Sequence, residues 1–274
     1  MLRRARVLPL MLLVLAACGG PAAPAPTPVL RVVATDFGYT VDGTPTAGPV
    51  AVRVVNQGQS LHHAQLLRLE QGKTAADLTP ASLEHGVPEW AVALGGPNAA
   101  EPGDSNVAYV DLTEGTYALL CVIPDTMGMM HLAHGMVTQF TVGAASGKAV
   151  AAAPAADVTL HLKDFSFGLP ASLTAGHHVI QVVNDGPQVH EVVIFRFAEG
   201  AGPDQLMAWA GGGMHGPPPG HFVGGTVGLA SGASNIIEDD FPAGNYVLLC
   251  FLPNTAGHGE PHLAMGMAQP LTVN

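Results

Sequence analysis

A chain of 274 residues carrying 34 glycines, 23 prolines and only 11% charged residues favours turn-dense β structure over long helices. Its formal net charge of −11 makes nucleic acid and anionic membrane surfaces poor partners, so a charge-steered partner would present a basic patch. The length suits one large domain or two ordinary ones.

The first 17 residues read as an export signal rather than part of the fold. Arg3, Arg4 and Arg6 precede an apolar run over 7–17 that is too short to span a bilayer comfortably. The run ends Leu15-Ala16-Ala17-Cys18, followed by Gly19 and Gly20. This resembles a bacterial lipoprotein signal, which implies cleavage before Cys18, lipid on its thiol, and a mature chain facing the periplasm or the extracellular space. An ordinary signal peptide cut near Ala17 is the alternative. Either way the mature chain is expected to be exported, and the lipoprotein reading implies membrane contact through the anchor only. Residues 18–29 are a Pro/Ala tether, and a second low-complexity stretch, 143–156, reads as a linker. It separates an expected first domain, 30–142, from an expected second, 157–274.

Alternating apolar residues punctuated by turn formers predict strands at 30–35, 49–56, 63–69, 106–111, 116–122 and 136–142 in the first half. In the second half they fall at 157–163, 177–184, 191–197, 233–238, 245–251 and 267–273. Short helices are expected at 75–84 and 203–210. Short strands at this spacing predict an all-β chain of two tandem Greek-key β-sandwiches.

The halves align as a duplication. Asn56-Gln-Gly58 before His62 matches Asn184-Asp-Gly186 before His190, and Gly103, Gly115 and Cys121 match Gly232, Gly244 and Cys250. Trp90 followed by Gly95-Gly96 is paired with Trp209 followed by Gly211-Gly212. Each half then ends on one pattern: Tyr117-Ala-Leu-Leu-Cys121 through His131 to Met136, and Tyr246-Val-Leu-Leu-Cys250 through His262 to Met267. A thiolate, an imidazole and a thioether in that order are ligands that a soft metal such as copper selects. A disulfide between Cys121 and Cys250 is disfavoured, because it would join equivalent core positions of two domains.

With His62 and His190 added, each half holds two imidazoles, one thiolate and one thioether, and resembles the cupredoxins, the blue copper family. The supporting residues are the Asn-x-Gly…His entry, the Gly-x-Tyr turn with tyrosine four residues before the cysteine, and the Cys…His-x4-Met loop. The resemblance implies copper ligands His62, Cys121, His131 and Met136 in one site and His190, Cys250, His262 and Met267 in the other. The Cys-to-His segment holds nine residues in the first half and eleven in the second, longer than the loop of small electron carriers and nearer that of copper nitrite reductases. That length argues for a less rigid site.

His63 and His134 are spare candidates that could compete as ligands in the first half. Met127, Met129 and Met130 are expected to pack around that site rather than to offer thioethers to copper(I). Glu191 is expected to orient its strand edge. His85, His215, His221 and His258 are expected to be exposed, and His161, His177 and His178 to lie on strand surfaces. Cys121 is flanked by Leu120 and Val122, and Cys250 by Leu249 and Phe251, so the His-Cys-His relay of multicopper oxidases is absent. No catalytic motif stands out, and the chain is expected not to be an enzyme. The expectation is therefore an exported one-electron carrier with one mononuclear copper per domain and a redox partner protein. Copper(I) binding and delivery, with a copper donor or acceptor as partner, is the alternative; a metal-free interaction module is the third reading.

Overall fold

The structure is a computed structural model that describes residues 25–147, 150–170 and 172–274; Cys18 and the export signal lie outside the described residues. The chain is nearly all β. In the first half the strands are β1 (Val29–Thr35), β2 (Gly38–Asp42), β3 (Gly48–Asn56), β4 (Gln65–Leu69), β5 (Ala91–Ala93), β6 (Ser105–Leu112), β7 (Gly115–Leu120) and β8 (Val137–Val142). In the second half β9 (Val158–Lys163), β10 (Ser166–Gly168), β11 (Ser172–Leu173), β12 (Gly176–Asn184) and β13 (His190–Phe197) precede a helix, α1 (Pro203–Gly211). After α1 come β14 (Gly220–Leu229), β15 (Ser234–Phe241), β16 (Gly244–Leu249) and β17 (Ala268–Val273).

All twelve expected strands are present. The alternation that announced them is the alternation of burial: Val50, Val52 and Val54 of β3, and Ile180 and Val182 of β12, point into the core. The expected helix at 75–84 is instead two 3-10 turns, Ala75–Asp77 and Ala81–Leu83. Pro80 supplies no N–H to continue a helix, and Thr74 and Asp77 cap the first turn reciprocally. No helix among the described residues is long and apolar enough to cross a membrane.

The halves share their sheets. One eight-stranded sheet runs β10-β9-β12-β15-β6-β3-β1-β2, facing a five-stranded sheet, β11-β17-β16-β13-β14, and a four-stranded one, β5-β4-β7-β8. The junction of the long sheet is the antiparallel pair β6–β15, in which Ala108 faces Ile237 and Tyr109 faces Ile236. Ala108 and Ile237 hold the same position in their repeats, so a local twofold axis passes between them, an isologous contact within one chain. The Tyr109 hydroxyl donates to Glu238 Oε1 at 2.7 Å across that axis.

In the opposite layer the backbones of residues 93–98 and β14 zip together. Gly95 N–H donates to Gly228 O at 2.9 Å, Val227 N–H to Gly96 O at 3.1 Å and Ala230 N–H to Ala93 O at 2.9 Å. One buried apolar cluster accordingly includes Leu30 and Ala108 from one half and Ile237 and Val273 from the other.

This joint corrects the alignment. Gly95-Gly96 corresponds to Gly224-Gly225 inside β14, not to Gly211-Gly212, which end α1. All four glycines at the joint have positive φ, and a Cβ at Gly95 would stand 1.9 Å from Asn235 Oδ1, as one at Gly225 would from Val192 O. Trp90 and Trp209 are not counterparts either. Trp90 lies beneath Lys73 Nζ, 4.8 Å from its ring centroid, whereas Trp209 sits on the inserted α1 and donates to Gly216 O at 3.1 Å.

Candidate metal centres

Each half positions its donor residues by the same local devices. Asn56 folds the chain back after β3: its side-chain carbonyl accepts the Gly58 N–H at 2.8 Å while its amide donates to Ser60 O and Ala100 O. Asn184 does the same with Gly186 N–H, Gln188 O and Leu229 O. These turns deliver His62 and His190 fully buried. Cys121 and Cys250 follow β7 and β16, and their N–H groups donate to Met136 O at 3.1 Å and Met267 O at 3.2 Å. A 3-10 turn carries each second histidine, His131–His134 and His262–Met265, and ends on Gly135 or Gly266 in the left-handed region. The chain thus returns with Met136 and Met267 buried in the core.

Backbone hydrogen bonds close the long Cys-to-His segments at their base. Isolated bridges Pro124–Met130 and Pro253–Pro261 pinch both loops at the base. His131 N–H then donates to Ile123 O at 2.9 Å, and His262 N–H to Leu252 O at 2.8 Å. The two extra residues of the second loop lie beyond its pinch, at the tip. There the first loop is tied by Asp125, which accepts from Met127 N–H and Met129 N–H. The extra length is thus confined to the loop tips, outside the hydrogen-bonded base.

The structure brings His62, Cys121 and His131 together, and likewise His190, Cys250 and His262, with donor atoms within 4.8 Å of one another and every residue buried. In the first cluster His131 Nδ1 lies 3.2 Å from His62 Nδ1 and 3.4 Å from Cys121 Sγ. In the second His262 Nδ1 lies 3.0 Å from His190 Nδ1 and 3.3 Å from Cys250 Sγ. Two ring nitrogens and a sulfur converge on one point, and a soft-borderline metal satisfies all three.

Two carboxylates absent from the sequence-based site complete the arrangement. His62 Nε2 donates to Asp36 Oδ1 at 2.8 Å, and His190 Nε2 to Asp164 Oδ1 at 2.7 Å. A proton held on Nε2 by a carboxylate leaves Nδ1 as a bare lone pair facing the cluster. The signal was present as Asp36-Phe37 and Asp164-Phe165, one repeat apart.

In the metal-free protein near neutral pH the cluster thiols and imidazoles are held neutral. Burial pushes the Cys121 thiol up to about 12 against the backbone N–H groups of His63 and Ile123, and burial together with the nearby Glu191 raises Cys250 further. Burial, reinforced by the neighbouring imidazole, lowers His131 and His262 to about 4. Burial also lowers His62 and His190, opposed by Asp36 and Asp164. Copper(II) uptake at about pH 7 should therefore release about one proton per site, from the thiol, with His131 and His262 adding to the count only below about pH 4. Calorimetry in buffers of different ionisation enthalpy measures that number.

The two sites differ around this common frame. His63 and Glu191 hold the same repeat position, and neither joins a cluster. His63 Nε2 accepts Val122 N–H at 3.0 Å, and Glu191 Oε1 accepts Phe251 N–H at 2.9 Å. His134 is tied to Asp125 at 2.7 Å and stacks on Phe37. Met127 and Met129 are 82% and 47% exposed, so they do not pack on the first site. His85, His215, His221 and His258 are exposed, as expected; His178 departs from expectation in being buried, between Asp157 and Thr174 O. A cavity of about 620 Å³ opens beside His131, walled by Phe37 and Ile123 on one side and by Trp209, Met214 and Phe222 of the second half on the other.

Tyr39 on β2 stands beside the Cys121 sulfur, and its one O–H donates to His63 O; its counterpart on β10 is Phe167. With that proton spent, the oxygen turns lone pairs toward the sulfur, which disfavours the more negative, reduced state. Tyr39→Phe should raise the potential of the first site alone, by about 59 mV for a tenfold change in a one-electron equilibrium, as read by redox titration.

No protein-family model and no curated protein matches the chain. Among solved structures it is similar to dithionite-reduced auracyanin from the photosynthetic bacterium Roseiflexus castenholzii, at 24% identity and TM-score 0.30, over 44% of this chain and 99% of that one. It is similar to auracyanin A, a "blue" copper protein from Chloroflexus aurantiacus, at 16% identity and TM-score 0.29, over 43% of this chain and 98% of that one. A copper-containing nitrite reductase from Thermus scotoductus SA-01 aligns over 90% of this chain and 61% of its own length, at 14% identity and TM-score 0.24. The chain's own residues supply the chemistry: two buried clusters of two imidazoles and one thiol, one in each half.

Proposed function

We propose that the protein is an exported, lipid-anchored one-electron carrier of cupredoxin type, with one mononuclear copper in each Greek-key half. The observation that carries this reading is the pair of buried clusters whose histidine tautomers are fixed by Asp36 and Asp164. His62, Cys121 and His131 would hold one copper and His190, Cys250 and His262 the other, with Met136 and Met267 as the axial thioethers. The metal supplies cycling between copper(I) and copper(II). The chain supplies the rest. Buried imidazoles need no protonation change near neutral pH, two backbone N–H groups stabilise each sulfur, and the apolar core excludes water. Geometry that changes little between oxidation states is what rapid electron exchange requires.

Titration of the metal-free protein with copper(II) tests the reading. Two equivalents should each develop an intense thiolate-to-copper absorption at about 600 nm. Uptake without that band, or no uptake, overturns it. Copper(I) delivery is favoured by one observation, the exposed thioethers of Met127 and Met129 at the tip of the first loop. It predicts tight copper(I) binding that weakens when both are replaced by leucine.

A further inference from the structure

The two clusters are linked across the twofold joint by three buried side chains that the copper chemistry itself does not use. His63 Nε2 accepts the N–H of Val122, the residue after Cys121, at 3.0 Å. His63 must then carry its proton on Nδ1, and its ring interacts with the Asn98 side chain. The Asn98 amide in turn donates to Glu191 Oε2 at 3.4 Å. Glu191 Oε1 accepts the N–H of Phe251, the residue after Cys250, at 2.9 Å. All three side chains are buried, and Asn98 is held in place because its two amide N–H groups are shared among Glu191 Oε2, Val192 O and Thr226 O.

We propose that the His63–Asn98–Glu191 chain is the route by which one electron passes between the two copper sites. This rests on the copper-binding reading above. The line from sulfur to sulfur runs through covalent bonds, three hydrogen bonds and the His63–Asn98 contact, and electronic coupling decays less steeply along bonds than across van der Waals gaps. It starts and ends on the cysteines, the ligands most strongly mixed with the metal. The residues at equivalent positions differ in a way that suits the link. A histidine that donates on one side and a carboxylate that accepts on the other let a single asparagine bridge them, which two identical residues would not. In the exchange one site goes from copper(I) to copper(II) as the other goes from copper(II) to copper(I). No bond is made or broken and no proton has to leave. The first electron comes from a small one-electron organic reductant or a reduced redox protein.

The test uses the full chain loaded with two coppers. A pulse of a small organic radical reduces a minority of sites, and redistribution between them is followed by rapid-freeze EPR, with Cys121→Ser and Cys250→Ser proteins as single-site references. The wild type should show a redistribution phase whose rate is independent of protein concentration. In Asn98→Leu that phase should slow by about tenfold or more while both copper bands and both potentials persist. Glu191→Met cuts the same chain at another link and serves if Asn98→Leu fails to fold. An unchanged rate in a variant that keeps both bands overturns the route, as does a wild type with two bands and no concentration-independent phase. Failure of the wild type to develop two bands is a different result, and it strikes at the copper reading instead.

Discussion

Cys250→Ser should leave a protein that develops half of the visible copper absorption, Cys121→Ser should leave the other half, and the double variant should stay colourless. A serine hydroxyl fits the space of the thiol and can accept the same backbone N–H groups, from His63 and Ile123 in one site and from Glu191 and Leu252 in the other. The fold is therefore retained. The hydroxyl oxygen, though, is a hard donor that keeps its proton, and it lacks the sulfur orbital that gives the charge-transfer band. The remaining imidazole pair binds copper(II) without the colour and far more weakly. Absorbance per copper and EPR hyperfine splitting measure this directly. A single variant that keeps the full colour would show that the clusters are not the copper sites. The two halves of the signal should also differ in shape, because Tyr39 stands beside Cys121 and Phe167 takes its place near Cys250.

The strands and the inner donors were legible because both rest on local pattern. Period-two apolar runs mark buried strands, and a cysteine, a histidine and a methionine at fixed spacing recur in both halves. What the sequence hid was everything set by long-range contact. β14 was missed among the expected strands, since Gly220, Gly224, Gly225 and Gly228 give it no strand signature. A Cβ on Gly220 or Gly225 would strike a carbonyl of β13, Arg196 O at 2.1 Å or Val192 O at 1.9 Å. That single misreading concealed the sharing of sheets and displaced the pairing of Gly95-Gly96. Asp36 and Asp164 were passed over for another reason: an isolated aspartate before a phenylalanine carries no motif, and only its partner 26 residues on reveals its role. His63 and Glu191 look unrelated in sequence, and they become counterparts only when each is seen to accept the N–H that follows a cluster cysteine.

Removing the carboxylate behind the first histidine should weaken copper binding in that site by about 10–100-fold, the usual cost of losing an outer partner of a metal-bound imidazole. Asp36 accepts from Gln59 N–H at 2.8 Å and Ser60 N–H at 3.1 Å as well as from His62, and Asp164 accepts from Gln188 as well as from His190. Burial acts to raise both carboxyls, but these bonds outweigh it, so both lie below the usual carboxylate range and stay charged near neutrality. Asp164→Ala lets the His190 ring turn and its proton move to Nδ1, the atom the metal needs. Asp164→Asn keeps an acceptor for the same proton and should cost less. A sharper version touches neither residue. A Cβ on Gly186 would stand 2.8 Å from His190 Nε2 and 2.9 Å from Asp164 Oδ1, and one on Gly58 would stand 2.5 Å from Asp36 Oδ1. Neither glycine has a positive φ, so alanine there adds crowding without backbone strain. Gly186→Ala should reproduce the loss seen in Asp164→Ala, confined to the second site, whereas Gly211→Ala, in open space on α1, should change nothing. Competition with a calibrated copper chelator measures both. Equal affinity in Gly186→Ala and Gly211→Ala would mean that the carboxylate does not hold the ring.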